Sequence, residues 1–328
     1  RPANACDVSI VVVSYNTREL TLDCLRSVYA QTHDVSFEVL VVDNASADGS
    51  AQAIAAEFPC IRLFLLHDNR GFAAANNLAG QHATGEWLLL LNPDTVILDR
   101  AIDKLLASAK EHSAIRPQYG IFGGRTLFPD GRLNPTSAWR RPTVWSLLST
   151  ASGLSASFRR TAFFNGEAMG GWPCDCVRAV DIVTGCFLLL RRALWERLGG
   201  FDLAFFMYGE DADLCLRARR LGVGCLICPD ATIVHLGGAS EKVRADKIVR
   251  VFRAKAQLFE RHWSRYASAL GRFTLDLWAL TRAVAFGVAR FLRPQYLEQY
   301  RTWRTVLANR AQWHPSKEAS SAESVGGF

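Results

Sequence analysis

A chain of 328 residues, 49% hydrophobic and 21% charged, carries enough apolar material for a sizeable core, and disorder as its main state is excluded. Its net charge of +7 is unevenly placed: residues 241–313 hold 15 Lys and Arg against 5 Asp and Glu, a local +10, whereas residues 1–240 carry −2. The basic character of the C-terminal segment points to an anionic surface there and argues against a nucleic-acid groove in the main body.

The chain opens at Arg1 with no charged-then-apolar signal segment, and a trimmed or processed start is expected. Residues 7–13 form a β-branched apolar run ending at Ser14-Tyr15-Asn16, followed by Leu20, Leu22, Leu25 and Val28 at helical spacing. The strand, loop, helix pattern recurs. Residues 37–42 predict a strand ending at Asp43-Asn44-Ala45-Ser46 before an Ala-rich helix; residues 61–66 predict a strand ending at Asn69-Arg70-Gly71 before a helix over 72–82; residues 87–91 predict a strand ending at Asn92-Pro93-Asp94. Continuous apolar strands alternating with helices indicate a parallel sheet covered on both faces, with ligand expected beyond the carboxyl ends of its strands. No phosphate loop of the Gly-x-x-x-x-Gly-Lys type is present, and Gly222-Val223-Gly224 lacks the third glycine of a dinucleotide fingerprint. A nucleotide would have to be held by side chains and a metal.

Residues 115–180, rich in Gly, Pro, Trp and Arg without a period, read as long loops crossing the sheet. Residues 180–190 read as one apolar strand interrupted by Gly185, then a helix over 193–198 closes at Gly199-Gly200. Glu210-Asp211-Ala212-Asp213 opens a helix to 221, and a strand through Cys225, Ile227 and 232–234 ends at His235. Nine scattered cysteines do not make a disulfide framework of the secreted kind, so a reducing compartment is expected. Cys186 and Cys225 suit small buried hydrophobes; Cys174-x-Cys176 with Cys225-x-x-Cys228 could be zinc ligands, but the Cys174-x-Cys176 half departs from the usual spacing.

Residues 241–313 are Arg-rich and helical in pattern. On a helix over 275–293 with Arg282 set at 0°, Arg293 and Arg290 fall near 20° and 80°, while Leu277, Leu280, Val284, Val288, Phe291 and Leu292 fall between about 160° and 280°. No uncharged run there reaches the roughly 18–20 residues of a membrane span. Two readings stand: a basic amphipathic helix lying in an anionic membrane face, or a helix packed on the catalytic domain with its Arg face in water. Residues 314–328, Ser/Glu/Gly-rich, are expected to be disordered.

Six motifs in order, Ser14-Tyr15-Asn16, Asp43-Asn44-Ala45-Ser46, Asn69-Arg70-Gly71 with Asn76-Asn77, Asn92-Pro93-Asp94, Gly209-Glu210-Asp211-Ala212-Asp213 and His235-x-x-Gly238-x-Ser240, resemble the family 2 glycosyltransferases, most of all the bacterial rhamnosyltransferase-like branch. The resemblance spans about residues 7–240. It implies an α/β GT-A fold with a doubly wound, mixed and mostly parallel sheet over 1–240, followed by the helical extension 241–313. It also implies a nucleotide-sugar donor, a divalent metal (Mg²⁺ or Mn²⁺) and inversion at the anomeric carbon. Asp94 is a hard oxygen ligand for such an ion, and His235 resembles the family's third metal-site residue. Asn92 stands where the family usually has the first Asp of Asp-x-Asp, so it is expected at the donor or the metal through its amide. Asp211 is the candidate base for the acceptor hydroxyl, with Glu210 beside it, both at a helix N-terminus where the dipole favours the charged carboxylate. Asp43 is expected to accept the nucleobase imide N–H and Tyr15 to stack near base or ribose, with Asn16, Asn69, Gly71 and Asn76 completing the donor side. Trp172 and Phe206 are candidates for the acceptor side.

On resemblance alone the donor is dTDP-rhamnose, with UDP-galactofuranose or another UDP-sugar as the alternative. The acceptor is a glycan or a polyprenyl-diphosphate-linked saccharide, met at the cytoplasmic face of the plasma membrane. A nucleotidyltransferase would want a Gly-rich basic loop after the first strand, where this chain has Ser14-Tyr15-Asn16-Thr17. A catalytically inactive sugar-nucleotide-binding protein is the reading from outside the enzymes.

Overall fold

The computed structural model describes residues 6–237 and 244–314. Its strands are β1 (Val8–Ser14), β2 (Phe37–Asp43), β3 (Arg62–Leu65), β4 (Trp87–Leu91), β5 (Thr95–Ile97), β6 (Tyr119–Leu127), β7 (Ala138–Trp139), β8 (Arg178–Val180), β9 (Ile182–Val183), β10 (Phe187–Arg191) and β11 (Gly224–His235). Its helices are α1 (Arg18–Gln31), α2 (Ser50–Glu57), α3 (Gly71–His82), α4 (Ala101–Ile115), α5 (Val144–Ser152), α6 (Leu154–Ser157), α7 (Arg192–Leu198), α8 (Glu210–Arg220), α9 (Arg244–His262), α10 (Arg265–Leu292) and α11 (Leu297–Ala308). Packing divides the chain into two units, residues 1–141 with 172–240, and residues 142–171 with 241–328.

The first unit is built on a nine-stranded mixed sheet in the order β3-β2-β1-β4-β10-β6-β11-β5, with β8 also paired to β11. β1 is parallel to β2 and β4, and every residue of β1 and β4 is buried, as strands covered on both faces must be. Val8, Ile10 and Val12 meet Leu22, Leu25 and Val28 of α1 and Leu105 of α4 in the main core. In this register Ser14 lies beside Asp43 and Val12 beside Leu91, so β1, β2 and β4 all end at one edge. β10 starts at that edge, antiparallel to β4, and β11 runs back to it beside β5, with His235 opposite Thr95.

The loop reading of 115–180 is corrected: β6 is a central strand between β10 and β11, and α5 lies in the same stretch. Gly120, Gly123 and Gly124 hide β6 from a pattern search, yet the strand needs them. A Cβ on Gly124 would meet the Ala231 carbonyl and the Phe187 ring, and one on Gly123 would meet Val183. The single strand expected over 180–190 is three, β8, β9 and β10, each paired to a different neighbour. β5 and α4 were not anticipated.

In the second unit, Leu147 of α5 shares a core with Phe252 and Phe259 of α9, Leu275 and Ala279 of α10, Val306 of α11 and Trp313. Residues 142–171, placed by the sequence within 1–240, thus pack with the C-terminal helices. The expectation of an Arg282 face in water is overturned. Arg282 turns inward, donating to the Thr150 carbonyl at 2.9 Å, while Thr281 donates to that of Ala151 at 2.7 Å. Of the buried positions Ser268, Gly271, Thr274, Leu275, Ala279 and Ala283, all but Leu275 are small, which lets the neighbouring helices approach closely, while Leu270, Phe273, Leu280, Val284, Val288, Phe291 and Leu292 are left outside. Among the described residues no helix is long and apolar enough to cross a membrane. The expected disordered tail, apart from His314, and Gly238 and Ser240 of the last motif lie outside the described residues.

Candidate active site

The strand ends bring Asn92, Asp94 and His235 together. His235 Nε2 lies 3.1 Å from Asp94 Oδ1 and 3.3 Å from Asn92 Nδ2, and the other Asp94 oxygen accepts from the Gly237 N–H at 3.1 Å. Burial works to raise the Asp94 pKa, but the His235 contact and the backbone donors outweigh it and hold the carboxyl below its ordinary value. One imidazole nitrogen cannot donate to the carboxylate and accept from the amide at once. With the amide turned over, a carboxylate oxygen, an amide oxygen and an imidazole nitrogen converge as acceptors. Neighbouring ligands of an octahedral ion at about 2.1 Å are themselves about 3 Å apart, so this donor set fits a small divalent cation with further positions open. Among the described residues no group of three or more His, Cys, Asp and Glu gathers in this way, and an ion here would be held by Asp94 and His235 with the Asn92 amide.

A short chain of bonds joins this cluster to the acidic pair on α8. The Asn92 N–H donates to the Cys186 carbonyl at 3.1 Å, and the Gly185 N–H donates to Asp211 Oδ2 at 2.9 Å. The buried Cys186 thiol is pushed up to about 12 by burial and then by the negative charges of both Asp94 and Asp211. Gly185 had registered in the sequence only as an interruption; its backbone N–H is the donor that ties β10's start to Asp211. A Cβ there would lie 3.6 Å from that of Asp211 and 3.5 Å from the Phe72 ring, an ordinary contact, so the backbone N–H is what the site uses.

Asp211 is not the cap of α8: Gly209, at φ +88°, occupies that position, and no side chain caps the helix. Asp211 instead accepts from Gly185 and, at 2.7 Å, from the Ala212 N–H. The expected lowering of its basicity by the helix terminus is corrected. Burial raises the Asp211 pKa against these backbone donors, and burial with the Asp211 charge raises that of Glu210 well above the ordinary range. Glu210 is buried, and its Oε2 has no hydrogen-bond partner. Both groups take up protons more readily folded than unfolded, so the stability gained by neutralising them is present at low pH and is lost as pH rises through the raised folded values. Glu210→Gln is therefore expected to raise the thermal midpoint at pH 8 and to change it little at pH 4.5. A lower midpoint at pH 8 in differential scanning calorimetry would contradict a raised Glu210 pKa.

On the donor side the expected residues separate into two groups. Asp43 is buried at the end of β2, with Oδ2 accepting from the Ser46 N–H at 3.0 Å and Oδ1 without a partner. Tyr15 stands half exposed at the end of β1. These two keep free polar or aromatic surface. Asn16, at φ +52°, accepts from the Ala47 N–H and so ties the first two strand-end loops. Asn69 accepts from the Gly71 N–H and from Asn44 Nδ2, and Asn76 donates to the Phe72 carbonyl within α3. Gly71, at φ +81°, lets Phe206 approach: a Cβ would fall 2.5 Å from the Phe206 carbonyl oxygen, which accepts from the Phe72 N–H. The Phe206 ring is half exposed beyond it, and Trp172 stacks under the Arg178 guanidinium at 5.1 Å.

Two clamps hold this region, and of their bonds only the i,i+4 pair of Asp213 with Arg217 was expected from the sequence. Asn77 both donates to the Phe201 carbonyl and accepts from its N–H, each at 2.8 Å. Arg217 bonds Asp213 at 2.6 Å and the carbonyls of Leu198 and Gly200 at 2.6 and 2.8 Å. Together they hold the segment leading from α7 to the acidic pair.

A mixed sheet with ligand-type residues at the ends of β1, β2, β4 and β11 defines the nucleotide-diphospho-sugar transferase class of α/β folds, GT-A. The fold is shared with a mannosyltransferase of Pyrobaculum calidifontis, solved in complex with GDP-Man and Mn²⁺, at a TM-score of 0.56 and 22% identity over 95% of this chain and 87% of that one. Residues 9–198 match glycosyl transferase family 2, and the chain belongs to that family. It is 30% identical over 74% of its length to the O-antigen biosynthesis protein RfbC of Myxococcus xanthus. It is 28% identical over 60% of its length to N-acetylglucosaminyl-diphospho-decaprenol L-rhamnosyltransferase of Mycobacterium tuberculosis. The matches span 18% and 66% of those two relatives.

Proposed function

We propose that the chain is an inverting, metal-dependent glycosyltransferase. In this reading it moves L-rhamnose from dTDP-rhamnose to a saccharide on a polyprenyl diphosphate at the cytoplasmic membrane face, in cell-envelope polysaccharide synthesis. The observation that carries the reading is the linkage of Asp94–His235, through Asn92 and Gly185–Cys186, to Asp211. Asp43 Oδ1, buried and lacking a donor, suits the single imide N–H of thymine or uracil, and Tyr15 offers a ring beside it. Asp94, His235 and Asn92 would hold a divalent ion, which when bound supplies positive charge to the departing diphosphate. Asp211 accepts the proton of the acceptor hydroxyl. Its raised pKa makes it a better base than a solvated carboxylate, and the Gly185 and Ala212 N–H groups fix the direction of its oxygens. Burial and the Asp211 charge raise the pKa of Glu210 well above the ordinary range, which favours Asp211 as the charged carboxylate of the pair.

Relatives named for rhamnosyl transfer and O-antigen synthesis support this donor and pathway. A thermal-shift panel of dTDP-, UDP- and GDP-sugars with and without Mn²⁺ tests it. A ligand at 100 times its Kd stabilises by about 2.7 kcal/mol. The largest shift is expected with dTDP-rhamnose and Mn²⁺ together. A larger shift with a UDP-sugar reassigns the donor, and no shift with any of them rejects the reading.

A further inference from the structure

We propose that the outward face of α10 is a docking surface for an anionic lipid bilayer, with the helix lying in the plane of the headgroups. The inference deepens the membrane-face part of the proposed function and rests on it. Tyr266, Leu270, Phe273, Leu280, Val284, Val288, Phe291 and Leu292 are all exposed, Phe291 and Leu292 by 80% and 82%. With the half-buried Leu277 they form one stripe about 39 Å long at 1.5 Å per residue, wider than the strict seam of a coiled coil.

No charge interrupts the stripe. Arg282 faces inward, Arg272 pairs with Glu260, and Asp276 is held by Arg310, Trp313 and His314. An unbroken apolar face of this length on a helix too polar to span a membrane is the pattern of an interfacial helix.

Charge selects the occupant. Arg265, Arg272 and Arg290 rim one side of the stripe, and Arg265 and Arg290 stack on its own Tyr266 and Phe291 at 4.6 and 4.8 Å. The segment 241–313 carries +10. A second copy docked on this face would bring the same cations against them, whereas anionic headgroups complement them, each Lys or Arg near such a surface contributing about 1 kcal/mol. The same unit exposes Trp145, Phe158 and Phe163 in a ring cluster beside the exposed Arg159 and Arg160, a further pairing of aromatic and cationic groups suited to an interface.

The test is co-sedimentation of the full chain with phosphatidylcholine vesicles containing 30% phosphatidylglycerol, against phosphatidylcholine alone. Binding is expected to the anionic vesicles only, to weaken with salt, and to fall at least tenfold in Val284→Glu/Phe291→Glu and in the milder Val284→Gln/Phe291→Gln. Folding of each variant is read from an unchanged donor-induced thermal shift. Equal sedimentation of folded variants and wild type overturns the proposal. So does a wild-type dimer in light scattering that these substitutions dissociate without any vesicle binding, which would make the stripe a self-interface. Vesicle binding with no donor shift would sink the enzymatic reading and leave this one standing; a donor shift without vesicle binding would do the reverse.

Discussion

Asp211→Asn is expected to lower glycosyl transfer by about 10²–10⁴-fold, the range a general base contributes, while the donor-induced thermal shift persists. The amide keeps the shape, but its single oxygen accepts from only one of the Gly185 and Ala212 N–H groups, and it cannot take a proton. The pH profile separates this role from a structural one. A base works only when ionised, and burial raises the pKa of this one, so the wild-type rate should fall on acidification at a higher pH than an ordinary carboxylate would give. Retained turnover in the variant, or an acid limb in the ordinary carboxylate range, would remove Asp211 as the base.

Arg217→Ala is expected to destabilise the fold by about 3 kcal/mol, the cost of breaking a largely buried ion pair together with its backbone bonds. The guanidinium satisfies the buried Asp213 carboxylate and two carbonyls from one planar group. Arg217→Lys should rescue little, because an ammonium at the end of a flexible stem does not present that fork. At about 2–4 °C per kcal/mol for a domain of this size, the alanine variant should melt roughly 6–12 °C lower. A shift under 2 °C would show that the clamp is incidental.

The legible parts of the site are those where one residue at a strand end carries the signal. Asp43, Asn92, Asp94 and His235 all follow apolar runs, and parallel register alone brings the ends of β1, β2 and β4 to one edge. Less legible was which polar residues face a ligand. Asn16, Asn69 and Asn76 share that edge with Asp43, yet their side chains close loops and a helix turn, because backbone donors and acceptors there need partners and a nearby amide supplies both. Nor could the acid–base character of Glu210 and Asp211 be read from a helix start. The terminus favours charge, burial opposes it, and only the surroundings decide which is larger.

By itself the sequence determined the alternation of strands and helices, the sheet edge that carries the polar residues, and the family, since each depends on local apolar periodicity or on short ordered motifs. Tertiary structure alone decided that glycine-broken β6 is a central strand, that residues 142–171 pack with the C-terminal helices, and that Arg282 lies inside while the apolar stripe of α10 lies outside. A helical period shows that two faces differ. Which face is buried depends on the size of the residues that must fit against the neighbouring helices, and on α10 those are mostly small, Leu275 being the one large apolar residue among its buried positions.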